Sequence, residues 1–261
     1  MTVQDVSVNG HFGEWLQGRM GRDGPVALVT VPCPVLRICT PGRSLSLFPS
    51  AELARFARLL GVPPRFPGTG RHMPTGAGAG SSTATLVALA RSAGFAGSAQ
   101  TLADACIALE GASDPLMFTQ PDALLWASRQ GRILRHMSPP PRCTIIGGFH
   151  GPNQRTDPRD SRFADISDLV DAWAAATAAG DLRRVATLAS ASAARCCAER
   201  GPADDPTPGL AHALGALGWL RAHTGSARGL IFAPGAVPAG AVGTVARAGF
   251  RQVIAFETGG T

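Results

Sequence analysis

Apolar positions along the chain change period several times, and each change marks an element. Val3, Val6 and Val8 have strand-like spacing, and Asn9-Gly10 after them reads as a turn. Residues 26–40 form a β-rich run broken at Pro32 and Pro34, which predicts two strands or one kinked strand. Leu53, Phe56, Ala57 and Leu60 repeat at i, i+3, i+4 and i+7, so residues 50–60 should form an amphipathic helix capped by Ser50 and stopped by Gly61 and Pro63. Two further helices are expected at 82–92 and 100–110, with Leu102, Ala105, Cys106 and Leu109 on one face of the second. Residues 124–128 and Ile133-Leu134 read as short strands.

Pro139-Pro140-Pro141 is the strongest punctuation in the chain and is taken as a domain boundary. Beyond it, Thr144-Ile145-Ile146 is a buried strand running into Gly147-Gly148 and a polar loop to Asp160. Helices are expected from Ser167 to residue 179, after the cap Asp181 to about residue 200, and over 207–223, where Leu210, Leu214, Leu217 and Leu220 form a seam. A helix near 239–248 and a strand at 252–256 close the chain.

Four stretches carry candidate chemistry. Residues 73–85, Met-Pro-Thr-Gly-Ala-Gly-Ala-Gly-Ser-Ser-Thr-Ala-Thr, are a small-residue loop feeding a helix N-terminus. Such an end has unpaired N–H groups and a partial positive charge, which suits phosphate. There is no Gly-Lys-Ser/Thr of a Walker loop, and Gly76, Gly78 and Gly80 give GxGxG rather than GxGxxG. From the residues alone, a Gly/Ala linker with ordinary Ser/Thr caps is the alternative. Gly10-x-x-Gly13-Glu14-x-x-Gln17-Gly18 reads as a tight turn presenting a carboxylate and an amide, or as a plain hairpin corner. Glu110 and Asp114 put two acids at a helix C-terminus and just past it, where cations are favoured. They are either solvated surface acids or a metal ligand with a proton acceptor. Ala222 to Phe232 is a Gly-punctuated connection from a helix to an apolar strand.

Composition narrows the chemistry. The 24 basic residues are all Arg, with no Lys and no Tyr, so lysine nucleophiles, Schiff bases and lysine general bases are excluded. A net charge of +6 suits an anionic ligand such as ATP, but no long basic run supports a nucleic-acid surface. The six cysteines have no zinc-type spacing and are expected to be reduced. No signal-peptide pattern and no run near the ~18 apolar residues of a membrane span is present, so a soluble, cytoplasmic protein without a membrane partner is expected.

Taken together, the four stretches are similar to those of the GHMP kinases (galactokinase, homoserine kinase, mevalonate kinase and relatives). Pro74-x-x-x-Gly78-x-Gly80-Ser81-Ser82-Thr83-Ala84 resembles their ATP-phosphate loop. Residues 9–18, 110–118 and 222–232 resemble segments of one branch, the PduX-type L-threonine kinases of cobalamin synthesis. The resemblance implies an α+β fold with a two-domain architecture: an S5-like ATP-binding domain over 1–140 and a ferredoxin-like domain over 141–261. It implies ATP and Mg²⁺ as cofactors and a small-molecule acceptor, an amino acid or small alcohol. By the same resemblance, Pro74, Gly76, Gly78, Gly80, Ser81, Ser82 and Thr83 contact the nucleotide, and Ser82 and Glu110 hold the metal. Asp114 orients or deprotonates the acceptor hydroxyl, and Glu14, Gln17, His223, Thr224 and Gly225 line the acceptor site. A carboxylate there could pair with an amino group, and an Arg with a carboxylate.

The chain also departs from the branch. Asn9 replaces a Pro, Ala77 stands where Lys is common, and Thr85 where Asp is common; Arg71 or Arg228 are candidate substitutes for the missing cation. The leading expectation is an L-threonine kinase for the aminopropanol arm of cobalamin. A GHMP kinase for homoserine or a polyol, or a catalytically silent GHMP-fold binding or regulatory protein, are the alternatives. The oligomeric state is left open.

Overall fold

A computed structural model describes residues 5–154 and 156–260; Val3 lies outside them. The chain begins with two long strands, β1 (Val6–Arg19) and β2 (Val26–Ser44), paired antiparallel along most of their length. Asn9-Gly10 is therefore not a turn, and Gly10 to Gly18 is not a hairpin corner. Pairing continues on both sides, and the sequence irregularities are absorbed as bulges at Asn9/Gly10, His11/Glu14 and Glu14/Leu16. Gly13 sits in one of them at φ +74°, where a Cβ would lie 2.7 Å from the Ala222 nitrogen. The real turn follows Met20, whose N–H donates to Pro25 O at 3.0 Å. β2 is a single kinked strand: Gly10 pairs with Cys33 and Asn9 with Arg37, leaving Pro34, Val35 and Leu36 looped out between them.

Helix α1 (Ser50–Leu60) buries Phe56, Ala57 and Leu60 as its period requires. Its N-cap is Pro49 rather than Ser50, with no side-chain cap bond. After the short strand β3 (Thr69–Arg71) come α2 (Ser81–Ser92) and α3 (Ala99–Glu110). Helix α2 is buried nearly all round, which its small and aliphatic residues permit, and it packs on β1 and β2. Strands β4 (Leu124–Ala127) and β5 (Arg132–His136) complete the first half.

The second half holds β6 (Cys143–Phe149), α4 (Ser167–Ala178), α5 (Leu182–Arg200), α6 (Thr207–Ala213), β7 (Gly218–Arg221), β8 (Ala227–Phe232), α7 (Ala241–Arg247) and β9 (Arg251–Thr258). Asp181 caps α5 by accepting from the Arg184 N–H at 2.9 Å. Before α4 the capping carboxylate belongs to Asp165, which accepts from the Ser167 N–H at 2.8 Å. The helix expected over 207–223 is overturned: it ends at Ala213, Gly215 adopts φ +64°, and Gly218–Arg221 form a strand. Pairing of Trp219 with Leu230 and Leu220 with Gly229 outweighs the helical leucine spacing, and Gly218 lets the strand lie against α5.

All nine strands join one antiparallel sheet in the order β5-β4-β2-β1-β7-β8-β6-β9, with β3 on β2. Strands from before Pro139 lie on one side and those from after it on the other, joined at the Glu14–Arg221 pair between β1 and β7. The mixed α/β architecture expected from the sequence is what the chain adopts. Phe12 ties the halves together, with its ring edge-on to Phe149 (5.6 Å) and Phe256 (5.5 Å). Phe12→Ala should cost about 3–5 kcal/mol. The expected outcome is a lower urea midpoint at an unchanged m-value; an unchanged midpoint would refute this role for Phe12.

Candidate active site

The small-residue loop is held in place by its own backbone. Gly78 O accepts from the Gly13 N–H (3.2 Å) and Ala79 O from the His11 N–H (3.1 Å), both on β1. Ala77 O accepts from the Ser226 and Ala227 N–H groups (3.1 and 2.9 Å) in the second half of the chain. Gly76 O accepts from the Gln154 N–H. Gly78, at φ +73°, is required: a Cβ there would lie 2.2 Å from the Ala222 Cβ. The first intrahelical bond of α2 runs from the Ala84 N–H to Gly80 O, so the N–H groups of residues 81–83 have no partner within the helix.

Facing that helix end is a cavity of about 470 Å³. Gly76, Gly78, Gly80, Ser81, Ser82 and Thr83 lie on its wall, as do Glu110, Asp114, Glu14, Gln17, His223 and Thr224. Pro74 and Gly225 do not; Gly225 is packed against the backbone of Ala77 and Gly78. Ala77 is fully buried beneath the 222–227 connection and off the wall, so the position of the missing lysine does not face the cavity. Thr85 is turned back into α2, donating to Ser81 O at 2.7 Å. Neither candidate replacement cation reaches the cavity. Arg71 donates to Leu45 O at 2.9 Å, and Arg228 is buried in an ion pair with Asp205 at 2.7 Å.

The two acids at the end of α3 find their positive counterpart at the start of α2. Glu110 accepts a hydrogen bond from the Ser82 hydroxyl. Asp114 is set by its neighbours: its N–H donates to Thr83 Oγ1 (3.3 Å), and the Ser113 carbonyl accepts from the Trp126 indole (2.7 Å). The helix end thus offsets charge that the C-terminus of α3 would disfavour.

Sequence reasoning missed His11. Its Nε2 lies 3.2 Å from Asp114 Oδ2, and its Nδ1 is 3.9 Å from Glu14 Oε1 and 3.3 Å from Gly13 O. Burial disfavours the imidazolium, but Asp114, Glu14 and the Gly13 carbonyl outweigh it and raise His11 from 6.5 to about 9. Burial raises Glu14 from 4.5 to about 7, against the pull of His11 and of the His223 N–H that donates to Oε2 at 2.7 Å. His223 is held neutral, lowered to about 3 by burial and then by Arg200. Its ring stacks on Phe163 at 4.2 Å. Phe163 and Arg129, whose guanidinium sits 4.8 Å from the Phe163 ring centre, were also missed. Arg129 is the only arginine on the cavity wall among the described residues. Only the position of His11 inside the Gly10–Gly18 motif could have flagged it; the other two sit in unpatterned loops.

No family model and no curated protein matches the chain. Solved structures match along its whole length. Mevalonate kinase from methicillin-resistant Staphylococcus aureus is 16% identical with a TM-score of 0.62, covering 98% of this chain and 100% of that one. Homoserine kinase from Cytophaga hutchinsonii is 16% identical with a TM-score of 0.57, covering 100% and 96%. A 4-(cytidine 5'-diphospho)-2C-methyl-D-erythritol kinase is 20% identical with a TM-score of 0.56, covering 99% and 100%. At these identities the likeness establishes the fold: the chain has the GHMP kinase fold.

His11 and Glu14 both hold protons more tightly in the folded than in the unfolded state, so stability falls as pH rises. Glu14 contributes this between 4.5 and about 7, and His11 between 6.5 and about 9. Asp114→Asn removes the carboxylate that does most to raise His11. Urea denaturation between pH 6.5 and about 9 should show a wild-type decline that the variant flattens; parallel profiles would disprove the coupling.

Proposed function

We propose that the chain is an ATP-dependent kinase that transfers the γ-phosphoryl group to the hydroxyl of L-threonine, giving O-phospho-L-threonine for the aminopropanol arm of cobalamin. In this reading residues 1–140 are the ATP-binding domain and 141–261 the C-terminal domain. The enzyme works in the cytoplasm, where its six free cysteines remain reduced. The observation that carries the reading is the placement of Asp114 beside the Ser82–Glu110 pair at the α2 N-terminus. Fold alone would not carry it, because one fold serves many chemistries. Threonine is favoured by the order and content of residues 9–18, 110–118 and 222–232. Ala77 and Thr85, the departures that favoured a silent protein, both lie off the cavity wall.

The donor set fits magnesium. Ser82 and Glu110 offer two oxygens, the ligand type Mg²⁺ takes, with phosphate oxygens and water as its usual remaining ligands. Among the described residues no cluster of three or more His, Cys, Asp or Glu forms a self-sufficient metal cage. When bound, Mg²⁺ would screen charge on the triphosphate.

The chain's own groups do the rest. The unpaired N–H groups at residues 81–83 and the α2 dipole bind phosphate oxygens. Asp114 accepts the hydroxyl proton as the acceptor oxygen bonds to the γ-phosphorus and the bond to the β–γ bridging oxygen breaks, releasing ADP. His11 holds the Asp114 carboxylate, with Nε2 3.2 Å from Oδ2. Glu14, Gln17, His223 and Thr224 enclose the acceptor.

ADP release from Mg-ATP should depend on L-threonine, and Asp114→Asn should lower it about 10²–10⁴-fold. Equal turnover in the variant would remove Asp114 from the chemistry. ATP binding with no response to threonine would redirect the acceptor to homoserine or a polyol.

A further inference from the structure

The net charge of the protein is concentrated in one part of it. Between Asp23 and Asp104 the only acid is Glu52, while seven of the 24 arginines fall in that stretch. The rest of the chain holds 17 arginines and 17 acids and is neutral, so the whole net charge of +6 belongs to this segment. Ion pairing divides in the same way. Among the described residues seven arginines elsewhere in the chain meet a carboxylate, and none in this segment does. Arg71 and Arg91 are tied to the carbonyls of Leu45 (2.9 Å) and Met117 (3.1 Å). Arg37, Arg43, Arg55, Arg58 and Arg65 are exposed.

The fold gathers these residues at one corner. Ile38 on β2 pairs with Arg71 on β3, and the His72 N–H donates to Arg37 O at 2.9 Å. The Arg71 bond to Leu45 O ties the ribbon to the connection that leads into α1. Phe66, next to Arg65, packs on Phe56 of α1 with ring centres 6.3 Å apart. Apolar side chains surface at the same corner. Leu45 is 88% exposed, Leu59 46% and Val35 45%, and each lies within two residues of an exposed arginine. Of the large hydrophobic residues exposed on the described surface, only Val242 lies elsewhere.

We propose that this corner docks a second protein, different from this chain, whose face is acidic around an apolar patch. The proposal is independent of the kinase reading. Aliphatic side chains in water beside unpaired guanidinium groups match the anatomy of a protein interface, an apolar centre with a charged rim. Charge fixes the sign of the partner, because like charges across an interface are strongly disfavoured. A second copy meeting this one through the same face would set +6 against +6. A nucleic acid carries the right sign, but the large hydrophobic residues exposed here are all aliphatic and give bases no ring to stack on. A helix lying in a bilayer needs a free apolar face. That of α1, with Phe56, Ala57 and Leu60, is buried in the core.

Leu47, Phe48, Pro49 and Glu52 lie on the cavity wall, so the test uses residues outside that stretch. Benzoylphenylalanine placed at Leu45 of the full chain is irradiated in the cells that make the protein. One discrete protein adduct is expected, with its cross-linked peptide on an acid-rich surface. The purified partner should bind less tightly as salt rises. Arg55→Glu with Arg58→Glu should weaken it about tenfold or more and leave binding of an ATP analogue unchanged. Arg37→Glu with Arg43→Glu should do the same and decides the matter if the first pair does not fold. No adduct, an adduct with a second copy of this chain, or binding indifferent to salt and to both pairs would overturn the proposal. Vesicles of equal parts phosphatidylcholine and phosphatidylserine, and a short DNA duplex, are tested by co-sedimentation and gel shift. Tight binding of either one that the same substitutions abolish would assign the surface to a membrane or a nucleic acid and overturn the protein partner.

Discussion

The site depends on a backbone clamp. Residues 76–79 are held by β1 through Gly13 and His11 on one side and by Ser226 and Ala227 on the other. These bonds need main chains to approach closely, which is why Gly78 can carry no side chain against Ala222. The clamp orients the first turn of α2 toward the cavity. It also joins a loop from the first half of the chain to a connection from the second, so that residues distant in sequence share one wall. Side chains contribute chemistry to that wall, but peptide groups set its shape, and the shape tolerates changes such as Ala77 that do not disturb the backbone.

Electrostatic balance follows from this placement. Glu110 and Asp114, unfavourable at the end of their own helix, face the positive end of another. His11, raised by the carboxylates around it, supplies a buried cation to a chain that has no lysine. The arginines that looked available are used elsewhere: Arg228 neutralises Asp205, and Arg71 closes a turn onto Leu45. A positive net charge therefore says little about the charge of the cavity, whose walls carry the carboxylates Glu14, Glu52, Glu110 and Asp114.

Where the sequence pattern reflects a local cause, the structure agrees with it. Helix α1 follows its apolar stripe, α5 starts at its Asp181 cap, and α2 begins at the serines that follow the glycines. Where two causes compete, the pattern misleads. Leu214, Leu217 and Leu220 have helical spacing, yet the last lies in β7, because pairing with β8 and seating against α5 stabilise the strand more. Asn9-Gly10 has turn chemistry, yet β2 continues opposite it and the strand bulges instead of reversing.

By itself the sequence determined the helix N-terminus with its small-residue loop, the paired acids four residues apart, and a chemistry without lysine. Each rests on neighbours in the chain, and local backbone preferences are strong enough to fix them. Only the tertiary structure decided that His11 would meet Asp114, that Gln17 and His223 would leave buried atoms unpaired on one wall, and that Phe163 would stack on His223. Those contacts join residues far apart in the chain, and Gln17 and His223 come from opposite halves of the sheet. They form because the whole sheet closes around them, and no local period encodes them.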